Sequence, residues 1–380
     1  MTQSRDANLD LLRALAIIGV LAYHIHGMWP TTYCNLECIA HLGQYGVTLF
    51  FVLSGWLIGT IFWRDRDLHQ NFSVVNFWVR RWFRTVPPYL AGMTLGYLAV
   101  RFGRDEPFDI RYLYFGQNYS DEIRFYLISW SLCVEEHFYL FLPLVGSIAL
   151  RLPNRFALIL LWTLPFLPPL LRFLDPSVVW PSHFGYSRTA THLAAEGLAL
   201  GVASAFTFRH FPVQWSTLQT AAKRLTFPTL ALFISVSFWN SQVEFFIGQT
   251  VVSLCCFVWL AAVARQRPLP FATNPLVYAI AISSYSVYLT HSLAIHVSLR
   301  LARPSGELLS EIVCLAIWIL IIAAGGAAFY YSIERSSIKL RDYASRWIVN
   351  RMGSKPSYTR MPPRRVAERF QKNDQLPPDR

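Results

Sequence analysis

The apolar residues of this chain gather into runs long enough to cross a bilayer, and the charges collect between them. Such runs lie near residues 9–29, 43–63, 87–102, 131–150, 156–174, 192–208, 226–242, 245–264, 277–299 and 308–331. A spanning helix needs about 20 mostly apolar residues, so the pattern predicts an all-α, polytopic integral membrane protein of about ten transmembrane helices. Prolines interrupt the run at 156–174, and the one at 226–242 is short. Internal repeats are not apparent. Residues 1–345 read as one transmembrane domain. Residues 346–380, rich in Arg, Pro and polar side chains, read as a basic, disordered cytoplasmic tail.

The loops set the orientation. Residues 30–42 contain no Lys or Arg, whereas Arg64, Arg66, Arg80, Arg81 and Arg84 stand between the second run and the body of the third. Later basic loops (Arg151 and Arg155; Arg209, Lys223 and Arg224; Arg265 and Arg267) fall on that same second side. The positive-inside rule then puts both termini in the cytoplasm of a cell whose inner membrane holds the chain. The first run resembles the apolar part of a signal peptide. Many further runs follow it and no small-residue cleavage site is convincing, so it reads as retained.

Composition agrees. The 380 residues are 54% hydrophobic and 15% charged, too apolar for a soluble domain of this size. Aromatics make up 16%, including 13 Trp, as interfacial belts require. The formal net charge is +12, and Arg335–Arg380 holds twelve Lys and Arg against four acids. Positive charge thus concentrates in a tail, which suits the anionic face of a membrane and no nucleic-acid groove. Of six cysteines, only Cys34 and Cys38 lie together in a polar loop, as a disulfide or as two free thiols. A four-ligand zinc pattern is absent, and no metal is expected.

Ionisable groups inside the runs carry the chemistry, because a charge in hydrocarbon is costly and usually faces a cavity. "LDLLRALAIIGVLAYHIHGMW" (9–29) holds Arg13 and His24 eleven residues apart. Eleven helical steps return to within about 20° and rise roughly 16 Å, so the two share one face. Asp10 lies one turn before Arg13, placed to pair with it. Snorkelling explains Arg13 alone; a polar cavity along the helix explains the pair. "GVTLFFVLSGWLIG" (46–59) carries Ser54-Gly55, where close helix packing and a back-bonded serine are the simpler reading.

"FWVRRWFRTVPPYL" (77–90) places Arg80 and Arg84 one helical turn apart, as membrane anchors or as a grip on a polyanion. "WSLCVEEHFYLFLP" (130–143) buries Glu135 and Glu136, of which one can face a cavity while the other pairs. "THLAAEGLALG" (191–201) sets His192 and Glu196 at i, i+4, two ligands being too few for a metal. "SYSVYLTHSLAIH" (284–296) puts His291 mid-run, near Tyr285 and Tyr288. Glycine-rich phosphate loops, Ser-His-Asp signatures and zinc-protease motifs do not occur.

Together these stretches resemble the membrane acyltransferase-3 family, whose members O-acetylate lipopolysaccharide, exopolysaccharide and nodulation factors or acylate macrolides. The opening resembles "LDxLRaxAxxxVxxxH". "FFVLSGWLIG" is similar to the family's second-span motif, "RRWFRTVPPY" to "RRxxRixPxY", "WSLCVEEHFYLFLP" to "WSLxvEexFYlxxP" and "SYSVYLTH" to "SYxxYLxH". "THLAAEGLALG" departs from "THxRxDxLxxG": Ala194 replaces the arginine and Glu196 the aspartate, with Arg188 as a candidate substitute. The absence of a hydrolase-like domain after the tenth run fits a stand-alone form.

The resemblance implies transfer of an acyl group, usually acetyl, from cytoplasmic acyl-CoA to a hydroxyl of a carbohydrate, lipid-linked glycan or small-molecule acceptor. His24 is then the general base, Arg13 steadies the donor, Glu135 orients a histidine or lines the channel, and Arg80 and Arg84 hold coenzyme A phosphates. Asp10, Ser54, Tyr89, Glu136, His192, Glu196, Tyr288 and His291 become channel positions. Direct transfer and an acyl-histidine intermediate both remain open. The alternative is a polytopic transporter or flippase, and a third reading is a non-catalytic scaffold; paired half-repeats with broken helices, which transporters often show, are not visible.

Overall fold

The computed structural model describes residues 5–29, 37–68, 73–101, 107–175, 178 and 185–351. The described chain is helical, with no strand among these residues. Its principal helices are α1 (Ala7–Met28), α2 (Gly46–Leu68), α3 (Val74–Arg101), α4 (Trp130–Ala149), α5 (Asn154–Thr163), α6 (Leu167–Leu174), α7 (Glu196–His210), α8 (Pro212–Val236), α9 (Gln249–Val263), α10 (Pro275–Leu301), α11 (Leu308–Phe329) and α12 (Arg335–Arg351). Among the described residues, every apolar run falls mainly on helix. The proline-interrupted run is α5 and α6 joined by a single 3-10 turn at Leu164–Phe166.

Six helical stretches among the described residues are long and apolar enough to cross a membrane: Ala7–Met28, Ala40–Asp67, Ser129–Ala149, Asn154–Leu174, Ser241–Val263 and Leu308–Ile348. The chain is an all-helical polytopic membrane protein. The runs at 87–102, 192–208, 226–242 and 277–299 are helical but fall outside these six, and for two of them the reason is plain. α3 carries the arginine cluster inside its first half. α7 has only 15 residues, about 22 Å, and buries nearly all of them against other helices.

α3 also begins earlier than the run at 87–102 predicts. It starts at Val74 and passes through Pro87 and Pro88 without breaking. A proline inside a helix frees the carbonyl four residues back. For Pro87 that carbonyl is Phe83 O, and the Ser337 hydroxyl on α12 donates to it. The tail is likewise helical further than expected, since α12 runs to Arg351. Residues 352–380 and Cys34 lie outside the described residues; Cys133, Cys255, Cys256 and Cys314 are buried free thiols.

Small residues draw the bundle together, as in lipid, where packing rather than hydrophobicity holds helices. α2 lies along α7 so closely that a Cβ on Gly55 would sit 2.1 Å from Leu198 O, and one on Gly201 2.4 Å from Trp56 N. The packing reading of Gly55 is therefore what the structure shows. Trp56, Trp63, Phe62 and Phe206 fill this side of the protein. Ile17, Val20, Tyr89, Tyr112, Tyr126 and Leu289 fill a second packed group. The start of α1 is pinned to the turn before α10: Asn8 Nδ2 donates to Val263 O at 3.0 Å, and Leu269 N donates to Asn8 Oδ1 at 2.7 Å.

Candidate functional site

Two cavities adjoin within the bundle. The first, about 130 Å³, is walled by α1, α2, α3, α4 and α10 and includes Arg13, Ser54, Arg81, Arg84, Glu135 and Tyr139. The second, about 240 Å³, includes His24, Gln44, Tyr45, Arg172, Arg188 and Glu244. Val47 and Tyr288 belong to the walls of both. Arg13 and His24 share one face of α1, as their spacing requires, and that single face serves both chambers.

In the first cavity the Arg13 guanidinium donates to Asp10 Oδ1 at 3.0 Å, and Asp10 Oδ2 accepts from Arg5 Nε at 2.6 Å. Asp10 thus fixes Arg13 while dividing its charge between two cations. Arg81, Arg84 and Thr85 enter from α3. Arg80 is not part of this wall. On a helix, Arg81 and Thr85 lie to one side of Arg84 and Arg80 to the other, which is why the sequence pairing of Arg80 with Arg84 selects a residue off the cavity. Arg81, one position along, is the residue that pattern misses.

The two adjacent carboxylates take different surroundings. Glu135 lines the cavity and its Oε2 accepts from Tyr139 OH at 2.8 Å; Tyr139 OH also meets Ser54 Oγ. Glu136 turns away, accepting from Thr85 Oγ1 at 2.5 Å, with its other oxygen buried and without a hydrogen-bond partner among the described residues. Successive helical residues point about 100° apart, so only one of the pair reaches the chamber.

In the second cavity, His24 Nδ1 lies 2.9 Å from Val20 O. A carbonyl only accepts, so Nδ1 carries the hydrogen, and in the neutral ring Nε2 holds a free lone pair. His291 repeats the arrangement, its Nδ1 lying 2.7 Å from Tyr288 O and its Nε2 buried without a hydrogen-bond partner among the described residues. Its ring meets that of His24 edge-on at 4.7 Å. His291 sits behind His24 and lines neither cavity.

Asp10, Glu136 and His291 line neither cavity, and three further expected channel residues lie elsewhere. Tyr89 is buried in the packing of the loop before α4, donating to Tyr112 O at 2.8 Å and accepting from Gln117 Nε2 at 3.0 Å. His192 stacks on Tyr119 and lies 3.9 Å from Asp175. The i, i+4 pairing of His192 with Glu196 is not realised, because the helix breaks at Ala195 and separates Thr191–Ala194 from α7. Glu196 instead pairs with Arg172 at 2.9 Å, both side chains almost wholly buried. Arg172 also donates to Leu193 O and to Thr250 Oγ1. A guanidinium from α6 thus stands beside Glu196, and Arg188 lines the same cavity as Arg172. The sequence signal for Arg172 is one arginine closing the apolar run "LPPLLRFL".

No group of three or more His, Cys, Asp or Glu suited to a metal ion occurs among the described residues. Chemically, the first chamber offers guanidinium groups, and the second an imidazole lone pair beside the guanidinium groups of Arg172 and Arg188.

Comparison with known proteins gives a match of residues 6–330 to the family model described as an acyltransferase domain. A protein of Staphylococcus aureus strain COL, provisionally named an O-acetyltransferase, is 25% identical over 310 residues, covering 74% of this chain and 49% of that protein. The O-acetyltransferase OatA of S. aureus strain NCTC 8325 is 32% identical over 160 residues, covering 38% of this chain and 25% of that protein. The chain spans about half the length of the first of these relatives and a quarter of the second. No solved structure matches it.

Proposed function

We propose, from the premise that this chain belongs to the acyltransferase-3 family, that it moves an acyl group from cytoplasmic acyl-CoA to an acceptor hydroxyl across the inner membrane. The donor enters the first cavity and the acceptor the second. Both termini face the cytoplasm, following the distribution of arginines, and the chain crosses the bilayer about ten times. The observation that carries the reading is the pair of adjoining cavities, Arg13, Arg81 and Arg84 in one and His24 in the other, with Val47 and Tyr288 common to both walls.

His24 Nε2 takes the proton of the acceptor hydroxyl as its oxygen attacks the thioester carbonyl. The tetrahedral intermediate collapses with cleavage of the C–S bond. The coenzyme A thiolate leaves and takes the proton back from the imidazolium, so the enzyme returns unchanged. Arg13 stands where it can bind the thioester carbonyl or a donor phosphate, and Arg81 and Arg84 supply forked donors for phosphate oxygens. Glu135, held by Tyr139, lines the same chamber. Acetyl is the acyl group favoured by the names of the similar proteins.

The test is acyl transfer by purified His24→Ala protein shown to be inserted and folded. Full retention of transfer would remove His24 from the base role. Acyl-CoA binding that survives with no transfer to any hydroxyl acceptor by the unaltered protein would remove the reaction itself.

A further inference from the structure

A third hollow, of about 370 Å³, lies between α3 and α10, with neither Arg13 nor His24 in its wall. An inserted ring creates it. Tyr126, from the loop before α4, donates to Leu289 O on α10 at 2.8 Å. On its other side α3 presents glycines: a Cβ on Gly92 would lie 2.6 Å from Tyr126 OH, and one on Gly96 3.0 Å from Tyr126 Cδ2. The ring thus stands between the two helices and forms part of the wall of the hollow.

The hollow is an apolar groove open to the outside. Leu95 is 42% exposed and Val297 41%, and both line it. An exposed apolar surface of this kind needs a covering ligand, and around a membrane protein the available cover is lipid. The groove follows one face of α10, on which Leu289, Leu293, His296 and Arg300 succeed one another by turns. From Leu289 to Arg300 is eleven helical steps, roughly 16 Å, close to half of a hydrocarbon core about 30 Å thick. Its length is therefore that of the acyl chains of one leaflet. α1 and α10 run parallel, since Asn8 is bonded to the segment before α10 and His24 meets His291. The groove accordingly runs toward the His24 end of the bundle.

Polarity is confined to that end. Thr290 Oγ1 donates to Ser286 O at 2.9 Å, and His296 Nδ1 donates to Ser292 O at 2.7 Å, so both turn a polar atom back onto α10. Arg300 stands in the last turn of α10. It forms no ion pair among the described residues, and no Asp or Glu of the described residues lines the groove. A guanidinium at the mouth of an apolar groove one leaflet deep is complementary to a phosphate at the head of an acyl chain.

We propose that the α3–α10 groove binds one anionic glycerophospholipid from the leaflet at the His24 end, with an acyl chain lying over Tyr126 and the phosphate on Arg300. The single unpaired guanidinium favours a head of net negative charge over a zwitterionic one. The length favours a bilayer phospholipid over a polyprenyl phosphate, whose chain would overrun the groove. The bound lipid bears on the loop beside the second cavity, because Phe125 and Tyr126 line the groove while Leu127 and Ile128 line that cavity. Binding of this lipid requires the membrane class of the chain and not the acyl-transfer reading.

Photolabelling tests the site. The full chain, in nanodiscs of phosphatidylcholine, receives a trace of phosphatidylglycerol or of phosphatidylcholine carrying a diazirine midway along one acyl chain. Adducts within residues 95–100 and 293–297 are expected to be about fivefold more abundant with the phosphatidylglycerol probe, the worth of one cation beside an anionic head. Arg300→Gln brings the two probes to equality. Arg303→Gln keeps the difference, since Arg303 bonds to Leu299 O and does not line the groove. Ala99→Phe puts a ring into the open groove from an exposed position and removes most labelling of these segments by both probes, with the melting temperature unchanged. Equal labelling by the two probes in the unaltered protein overturns the proposal, as does undiminished labelling in Ala99→Phe; either result means ordinary contact with bulk lipid. Displacement of the phosphatidylglycerol probe by a polyprenyl phosphate at lower concentration than by unlabelled phosphatidylglycerol overturns the choice of a glycerophospholipid. All of these outcomes leave the acyl-transfer reading standing.

Discussion

His24 and His291 face each other edge-on, ring centroids 4.7 Å apart and planes at 76°, each with its Nδ1 on a backbone carbonyl of the preceding turn. The two rings therefore present Nε2 lone pairs, but of the two only His24 lines either of the two adjoining cavities. His24→Ala is expected to lower kcat/KM for acyl transfer by about 10²- to 10⁴-fold, the usual contribution of a positioned base. His291→Ala is expected to cost about tenfold, through loss of the ring that supports His24. Coenzyme A thiol release in the presence of acceptor measures both, and an equal loss from the two would assign His291 more than support.

The arginines on α3 separate by position. Arg81→Ala and Arg84→Ala are each expected to raise KM for acetyl-CoA by about tenfold or more, since a charge-assisted hydrogen bond is lost. Arg80→Ala, off the cavity wall, is expected to change it by less than about threefold. Titration of acetyl-CoA against the three variants decides between this order and the one suggested by the i, i+4 spacing of Arg80 and Arg84.

The Arg172–Glu196 pair is buried, with side chains 3% and 1% exposed. Glu196→Leu leaves the guanidinium without its counter-charge and is expected to destabilise the protein by about 3–5 kcal/mol. Arg172→Met combined with Glu196→Leu is expected to destabilise by less than Glu196→Leu alone, because no buried charge remains. Thermal unfolding in detergent reads both. Greater loss in the double variant would mean that the bonds of Arg172 to Leu193 O and Thr250 outweigh the charge term.

Gly55 sets the distance between α2 and α7. Gly55→Val needs a Cβ where Leu198 O already stands, so the helices must separate, at an expected cost of at least about 1–3 kcal/mol. Gly325→Ala, at a site with open space around it, is expected to have little effect. The fraction of monodisperse protein remaining after graded heating compares the two.

The helices were legible in the sequence because apolar runs of bilayer length have few other solutions. The Arg13–His24 face and the Asp10–Arg13 pair were legible for a related reason: each depends only on the local geometry of one helix. The divergence of Glu135 and Glu136 followed from the same 100° step. Arg81 was missed because two spacings, i, i+3 and i, i+4, both place neighbours beside Arg84, and the helix alone does not say which side meets a cavity. The i, i+4 reading of His192 and Glu196 failed where its premise failed, at the break on Ala195.

The sequence by itself determined the membrane class, the helical segments and which polar groups share a face of one helix, since those properties arise within a few turns of chain. Tertiary structure alone decided which groups meet. Tyr45 reaches Glu244 across 199 residues, and Arg172 reaches Glu196 across a helix break. Such contacts are fixed by how close glycines let helices approach and by where breaks and π-turns redirect the chain. The two cavities are products of that packing.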